Sequence, residues 1–339
     1  MLIVNKNSGR FGLLAVSLAV LSPLVATGPA AVARLPCSQS QPQAESSLGI
    51  RVVVTIAPLA GIVRGLLPEG MPVTVLMNPS RSEHGYEFTP DEMASLAKSD
   101  VAVYVGLGLE PKVASFLSTH GDGKHIVEIA AALKIEGAAD ADHHDHAEEE
   151  GHDHDHGHDH DHDHGNGIDP HLWLDPVLMK QAVPSIRAAL ESALRAQGKT
   201  AWIDSGGLDA AEKALVARID AVDAAYRERL GPYAGAAIVT HHAAFGRIAE
   251  RYGLRIASVI RPMESVEPSP KEIAELVGAI REQRVRAIFV EPQFTPQVAT
   301  RLSAAAKIPL GKLDPIGSED WFGLMQRNLD QLVATLGTP

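Results

Sequence analysis

Residues 51–67, RVVVTIAPLAGIVRGLL, decide the fold, because a β-branched run leads directly into a helical one. Residues 51–56 predict a buried strand and residues 59–67 predict a helix. Further strands are predicted in the first half of the chain at residues 72–77, 101–106 and 124–129. Strands that alternate with helices in this way are typical of parallel sheets covered on both faces.

The second half of the chain repeats this pattern. Its predicted strands cover residues 236–240, 255–260, 285–291 and 308–313. Its predicted helices end at residue 252 and cover residues 269–284, 295–307 and 321–336. Two such sets of elements predict two α/β lobes. The pairs Thr89 with Glu92 and Ser269 with Glu272 each predict a capping box at a helix start.

Helical sequence lies between the two sets. Residues 176–195 predict a helix that is kinked or broken near Pro184, because proline disturbs a helix interior. Residues 208–230 place apolar side chains at spacings of three and four, which predicts one long amphipathic helix. Because this helix is uninterrupted, we expect it to be a rigid connection between the lobes.

The formal charge of −12 belongs almost entirely to one segment. Residues 140–163 contain 11 acidic residues and no Lys or Arg, whereas 31 acidic and 30 basic residues lie outside them. The remainder of the chain is therefore nearly neutral, and nothing in it indicates a nucleic-acid-binding surface.

The amino terminus predicts export. Lys6 and Arg10 precede an apolar run at residues 11–25, and AVA at residues 31–33 has the pattern of a cleavage site. The apolar run is shorter than the roughly 20 residues that a membrane-spanning helix needs. We therefore predict a secretory signal peptide over residues 1–33.

Cys37 is the only cysteine, so the chain has no intramolecular disulfide. We expect Cys37 to lie in a flexible tail over residues 34–49. A lipoprotein signal normally has a small residue before the cysteine, whereas Pro36 stands there. A lipid anchor at Cys37 is therefore the disfavoured alternative.

Candidate metal ligands follow several predicted strands. His84 follows the second strand, His241 and His242 follow residues 236–240, and Asp314 follows residues 308–313. A further histidine, His171, lies in the segment DPHLWLDP. Ligands of open parallel sheets bind beyond the carboxyl ends of the strands. Three imidazoles and one carboxylate suit tetrahedral Zn²⁺, whereas Mn²⁺ prefers more oxygen ligands.

Each acidic candidate also has an ordinary structural explanation. Asp314 precedes a proline and is suited to forming a turn. Asp169 and Asp175 also precede prolines, and we expect them to be turn and cap residues rather than ligands. Glu83 is expected to be solvated, with a secondary role as an alternative oxygen donor. The hypothesis of a metal site therefore depends on the joint pattern of donors at strand ends.

Five motifs resemble, in the same order, those of the zinc-specific solute-binding proteins of ABC importers, the metal-binding cluster A-I or TroA-like family. These motifs are SEHGYEFTP (82–90), DPHLWLDP (169–176), THHAAFGRIAERYGL (240–254), FVEPQF (289–294) and LDPIGS (313–318). The resemblance implies two lobes of parallel sheet covered by helices and joined by one long rigid helix. The implied boundaries are residues 50–203 for the amino-terminal lobe, 204–231 for the linking helix and 232–339 for the carboxy-terminal lobe.

The resemblance also implies the ligands. It places a metal ion between the lobes, bound by His84, His171, His242 and Asp314. His242 is preferred to His241 because HAAFG, which starts at residue 242, matches the family's motif. His241 remains the alternative. Manganese-selective relatives usually carry a glutamate as the third ligand, so the histidine favours Zn²⁺.

Residues 138–166 form a loop rich in His and Asp, which cannot bury apolar surface and is expected to be disordered. Zinc-binding relatives often carry such a loop before the DPH motif. We expect weak secondary metal sites at its histidines, which are His143, His144, His146, His152, His154, His156, His158, His160, His162 and His164. Two interpretations remain open: a loop that collects metal, and a solubilising spacer that binds metal incidentally.

The resemblance implies a periplasmic, monomeric, non-enzymatic protein that delivers Zn²⁺ to the permease of an ABC importer with its cytoplasmic ATPase. A periplasmic metallochaperone is a further candidate partner. The alternatives are a protein of the same family that binds Mn²⁺ or another divalent metal, and a secreted zinc hydrolase. The hydrolase is disfavoured because the sequence contains no HExxH motif.

Overall fold

The computed structural model describes residues 49–135, 168–261 and 269–337. Within these residues, no helix is both long and apolar enough to cross a membrane. The predicted signal peptide, Cys37 and the predicted loop over residues 138–166 lie outside the described residues.

The first half of the chain forms a four-stranded parallel sheet. Its strands are β1 (Val52–Val54), β2 (Val73–Val75), β3 (Val101–Tyr104) and β4 (His125–Glu128). The spatial order is β2-β1-β3-β4. Its helices are α1 (Ala57–Arg64), α2 (Pro90–Lys98), α3 (Pro111–His120) and α4 (Ile129–Ala132). The four predicted strands are confirmed.

Helix α3 was not predicted from the sequence. It begins with Pro111 at its first position and buries Val113 and Leu117, four residues apart, against the sheet. Two parallel neighbours such as β3 and β4 need a crossover connection, which is usually a helix. The parallel topology therefore requires an element that the short apolar pattern alone did not reveal.

Three helices connect the two sheets: α5 (Pro176–Ala196), α6 (Ala201–Asp204) and α7 (Gly207–Leu230). Helix α5 continues through Pro184, so it is not broken there, and the alternative of a kink stays a prediction. Helix α7 confirms the predicted long helix and begins after Gly206, whose φ of 74° suits a residue without a side chain.

The second half forms an equivalent parallel sheet. Its strands are β5 (Ala237–Thr240), β6 (Arg255–Val259), β7 (Ala287–Val290) and β8 (Leu310–Lys312). The spatial order is β6-β5-β7-β8, which corresponds to the order of the first sheet. Its helices are α8 (Gly246–Arg251), α9 (Pro270–Glu282), α10 (Gln297–Ala306) and α11 (Trp321–Leu336).

Local sequence signals set the helix starts. The Thr89 hydroxyl accepts a hydrogen bond from the Glu92 N–H, and the Glu92 carboxylate accepts one from the Thr89 N–H, as predicted for a capping box. Ser269 and Glu272 form the same arrangement at the start of α9. Asp175 caps α5 by accepting hydrogen bonds from two backbone N–H groups, which confirms its predicted role.

The two sheets share one contiguous hydrophobic core. The buried Trp173, which precedes α5, donates its indole N–H to the Pro315 carbonyl at 2.6 Å. Trp321 of α11 donates its indole N–H to the Trp173 carbonyl at 2.7 Å. The Tyr226 hydroxyl of α7 donates to the Met325 carbonyl at 2.8 Å. Because a wide hinge opening would break these buried bonds, the fold favours small local motions. The predicted residue boundaries of the two lobes stay a prediction.

The close packing of α11 on α1 predicts that Gly61→Ala lowers the free energy of unfolding by about 1–3 kcal/mol. An added Cβ would lie 2.6 Å from the Trp321 backbone nitrogen and 3.0 Å from the Glu319 carbonyl oxygen. The matched control is Gly278→Ala in α9, where an added Cβ meets no atom within 4 Å. This change should stabilise the protein by about 0.5–1 kcal/mol. Urea unfolding of the metal-free proteins measures the free energy of unfolding of both variants. A Gly61→Ala variant as stable as the wild type contradicts the packing described.

Candidate metal centre

Three histidines and one glutamate converge beyond the carboxyl ends of the two sheets. They are Glu83 and His84 after β2, His171 before α5, and His242 after β5. Each residue offers one ligand atom, and all four atoms lie within 4.8 Å of one another. The structure therefore brings together three residues that sequence analysis selected, His84, His171 and His242.

The Nε2 atoms of the three histidines point toward a common centre. His171 Nε2 lies 3.1 Å from His84 Nε2 and 3.1 Å from His242 Nε2. The ring planes are steeply inclined to one another, at 67° for His84 with His171 and 63° for His171 with His242. Tetrahedral Zn²⁺ with bonds of about 2.0–2.1 Å separates neighbouring nitrogens by about 3.3 Å. The arrangement is close to that separation.

Carboxylates on the far side of two rings fix their tautomers. Asp169 Oδ1 accepts a hydrogen bond from His171 Nδ1 at 2.7 Å, and Glu291 Oε1 accepts one from His242 Nδ1 at 2.5 Å. When these carboxylates are ionised they only accept hydrogen bonds, and the proton of each neutral ring then lies on Nδ1. The lone pairs on Nε2 are therefore left facing the centre, as in metal-binding histidines.

The backbone also contributes to this orientation. Asp169 Oδ1 accepts a second hydrogen bond from the His171 N–H at 2.9 Å, which closes a tight turn through Pro170. Glu291 Oε1 likewise accepts one from the His242 N–H at 3.2 Å. Each carboxylate thus fixes both the main chain and the ring of its histidine, which leaves the ring little rotational freedom.

Glu83 lies inside the cluster. Only 2% of its surface is exposed, so the prediction that it is solvated is wrong. Its Oε1 has no hydrogen-bond partner among the described residues and lies 3.5 Å from His171 Nε2 and 3.8 Å from His242 Nε2. Burial alone raises the pKa of Glu83, but the nearby His171 outweighs this effect and lowers the pKa to about 2. A buried carboxylate oxygen without a partner is suited to a cation.

The imidazole rings of His171 and His84 differ in their proton affinity. Burial lowers the pKa of His171, but its hydrogen bond to Asp169 and the nearby carboxylate of Glu83 outweigh this effect and raise the pKa to about 9. Burial and the nearby charge of His171 lower the pKa of His84 to about 4. His84 is also partly exposed, whereas His171 and His242 are buried. The cluster therefore meets solvent on the His84 side.

Asp314 is not part of this cluster. Its Oδ1 accepts hydrogen bonds from the N–H groups of Ile316 and Gly317, at 3.2 and 2.8 Å, and from Gln293 Nε2 at 2.9 Å. These contacts are those of a turn-forming aspartate, the ordinary explanation that its sequence also allowed. The role of Asp314 as a metal ligand stays a prediction.

His241 lies apart from the cluster although it precedes His242. Its ring stacks on Phe294, with ring centroids 4.5 Å apart and planes at 16°. Burial, followed by the charge of Arg261, lowers the pKa of His241 to about 4, so the ring is neutral near pH 7. Of the two adjacent histidines, the structure brings only His242 to the centre.

Sequence reasoning missed Glu291. The residue directly follows β7, and β7 pairs with β5, so Glu291 and His242 occupy neighbouring strand ends. The motif FVEPQF contained this signal, since a carboxylate at a strand end beside a histidine can orient that histidine. Asp169, expected as a turn residue, forms the turn and in addition orients His171. The ten histidines of the predicted loop lie outside the described residues.

The fold and the cluster together define a class of protein. Two parallel sheets joined by a long helix, with a histidine cluster between their carboxyl ends, are the features of a two-lobed metal-binding solute-binding protein. Residues 52–335 match the family described as "ZnuA: Zinc-uptake complex component A periplasmic". This chain belongs to that family.

Relatives known from their sequences carry zinc-related names. The zinc-binding protein AdcA of Streptococcus pyogenes serotype M3 (strain ATCC BAA-595 / MGAS315) is 25% identical over 296 residues, which cover 84% of this chain and 56% of that protein. The high-affinity zinc uptake system protein ZnuA of Bacillus subtilis (strain 168) is 28% identical over 297 residues, covering 85% of this chain and 88% of that protein. The chain thus spans little more than half the length of the streptococcal relative.

A solved structure shows the same fold. The periplasmic zinc binding protein TroA from Treponema pallidum matches with a TM-score of 0.67 and 22% sequence identity, covering 85% of this chain and 99% of that chain. The two-lobed α/β architecture with its long helix, predicted from the sequence, is therefore confirmed.

The contact between Glu291 and His242 predicts that Glu291→Gln weakens zinc binding by about 10–100-fold, the range typical of outer partners of metal ligands. The neutral amide is a poorer acceptor for Nδ1–H, so Nε2 becomes a weaker donor to the metal. Competition with a chelator measures the affinity. The control is Glu275→Gln, which removes the same charge from an exposed position on α9 and should leave affinity unchanged. Equal affinities of the two variants would argue against an orienting role for Glu291.

Proposed function

We propose that this protein is a periplasmic carrier that captures one Zn²⁺ ion between its two lobes and delivers it to the permease of an ABC importer. The importer is driven by its cytoplasmic ATPase. One observation carries the proposal: three Nε2 lone pairs and a buried carboxylate oxygen converge on one point. Family membership and the zinc-related names of the relatives support the same function.

The proposed ligands are His84, His171, His242 and Glu83. Glu83 takes the place that the resemblance assigned to Asp314, because Glu83 Oε1 lies inside the cluster whereas Asp314 Oδ1 accepts hydrogen bonds from its own turn. The set still consists of three imidazoles and one carboxylate, so the expected coordination chemistry is unchanged.

This donor set favours Zn²⁺ over Mn²⁺. Three nitrogens and one oxygen suit a four-coordinate zinc ion, whereas Mn²⁺ prefers more oxygens and a higher coordination number. The same four donors argue against a hydrolase, since a catalytic zinc ion keeps a position open for water. A tight, closed ligand set suits a non-enzymatic carrier.

The predictions about export, localisation, oligomeric state and the His-rich loop are also proposals. The signal peptide over residues 1–33 exports the chain, and the protein works as a soluble periplasmic monomer rather than through a lipid at Cys37. The His-rich loop over residues 138–166 collects metal, and a periplasmic metallochaperone is a further candidate partner. Because imidazole binds metal only when deprotonated, the loop sites should lose metal below about pH 6.

Equilibrium dialysis of zinc tests the proposal in a variant that lacks residues 140–164, so that the weak loop sites do not contribute. We expect one tightly bound zinc ion per chain, and we expect the double variant His84→Ala with His242→Ala to lose it, because two of four ligands are removed. A tight zinc ion that survives the double substitution contradicts the proposed site. Zinc-dependent hydrolysis lost in the same variant would favour the enzyme alternative.

The fourth ligand is tested by comparing Glu83→Gln with Asp314→Asn. If Glu83 binds the metal, Glu83→Gln should weaken zinc binding by at least the 10–100-fold that outer partners contribute. Asp314→Asn should have a smaller effect, because the amide oxygen can still accept the turn's hydrogen bonds. Chelator competition measures both. The reverse order of effects would show that Asp314 is the ligand.

A further inference from the structure

Residues 76–89 connect β2 to α2 and carry both Glu83 and His84; we call this segment the ligand loop. Its start is fixed to the end of β1, because the Leu76 N–H donates to the Val54 carbonyl at 2.9 Å and the Met77 N–H donates to the Thr55 carbonyl at 2.8 Å. Its end is fixed by the capping box of α2. Two of the four proposed ligands thus lie on a segment held firmly at both ends.

Several hydrogen bonds between these ends join residues that are close in sequence. The N–H groups of Ser80 and Arg81 donate to the side chain and the carbonyl of Asn78, at 2.9 and 3.1 Å. The His84 N–H donates to Ser82 Oγ at 3.2 Å. These bonds shape the middle of the ligand loop but do not attach it to the rest of the lobe.

Tyr86 provides the buried attachment, in addition to the exposed ion pair between Glu87 of the ligand loop and Lys112 of α3. Its hydroxyl oxygen accepts a hydrogen bond from the Asn78 N–H at 3.0 Å and its O–H donates to Glu92 Oε1 on α2 at 2.9 Å. The ring is 7% exposed, belongs to the hydrophobic core and contacts Phe88 edge-on at 5.1 Å. One hydroxyl therefore joins the first residues of the ligand loop, the residues after the ligands and the adjacent helix.

We propose that the Tyr86 hydroxyl is a latch that holds Glu83 and His84 on the zinc ion and thereby sets the rate of zinc release. Tyr86 is a positioning residue in this proposal, because it acts through the loop and does not touch the metal. The proposal rests on the proposed zinc-carrier function.

The packing between the two sheets explains why zinc release depends on the ligand loop. The buried indole bonds of Trp173 and Trp321 oppose wide lobe opening. His84, by contrast, is partly exposed, so its side of the cluster is where ligands can leave most easily. Because Glu83 and His84 are adjacent, lifting one short segment removes two donors together. The Tyr86 bonds resist that movement.

The test measures zinc dissociation from the loaded protein by stopped-flow mixing with excess chelator, again without residues 140–164. We expect Tyr86→Phe to release zinc about tenfold faster, a change that corresponds to about 1.4 kcal/mol. The matched control is Tyr104→Phe, in the same lobe, which loses a hydrogen bond from its hydroxyl to Glu128 Oε2 of 2.9 Å. Its dissociation rate should stay within about twofold of the wild type.

A second pair of variants keeps the test informative if Tyr86→Phe folds poorly. Glu92→Ala removes both a capping box and the acceptor of the Tyr86 hydroxyl, whereas Glu272→Ala removes only a capping box. Of these two variants, only Glu92→Ala should release zinc faster than the wild type. Thermal unfolding of the metal-free variants supplies the second readout, since a purely structural role lowers thermal stability without changing release.

Each result has one consequence. Faster release in Tyr86→Phe and Glu92→Ala, with both controls near the wild type, supports the latch. If these two variants release zinc at the wild-type rate, the latch is overturned and the carrier function stays intact. The same conclusion follows if the control variants release zinc as fast as the test variants. A wild type without a tight zinc ion overturns the carrier function and the latch together.

Discussion

Imidazole lone pairs that face each other at 3.1 Å repel unless a cation lies between them, and the function of the cluster depends on this constraint. Asp169 and Glu291 create it, because each holds the ring proton of its histidine on Nδ1 and turns Nε2 inward. Asp169 and Glu83 also raise the pKa of His171 against the effect of burial, so protons compete with zinc for its Nε2. A zinc ion satisfies all the donors at once.

The fold supplies these donors from distant parts of the chain. In each sheet, the strand order reverses beside its first strand, and the carboxyl ends at such a point leave a crevice for ligands. His242 and Glu291 come from the paired strands β5 and β7, whereas His84 reaches the centre on a loop beyond β2. The shared core and the tryptophan bonds then keep the two crevices aligned, so that selectivity and release are left to small movements.

The sequence predicted the alternating elements, the capping boxes at Thr89 and Ser269, the long helix and the three histidines of the cluster. These features depend on local periodicity, local hydrogen bonding or motifs, which a single sequence contains. The roles of Glu83, Glu291 and Asp314 depend on which carboxylate oxygen faces the centre. That is decided by loop conformation and by contacts between residues far apart, such as Glu291 with His242. The need for α3 as the crossover between β3 and β4 likewise comes from the sheet topology.

The most direct measurement is a crystal structure of the zinc-loaded protein with anomalous diffraction data collected at the zinc absorption edge. We expect a single strong peak about 2.0–2.2 Å from the Nε2 atoms of His84, His171 and His242 and from a carboxylate oxygen of Glu83. A peak elsewhere, or one with fewer than three of these histidines within bonding distance, contradicts this expectation.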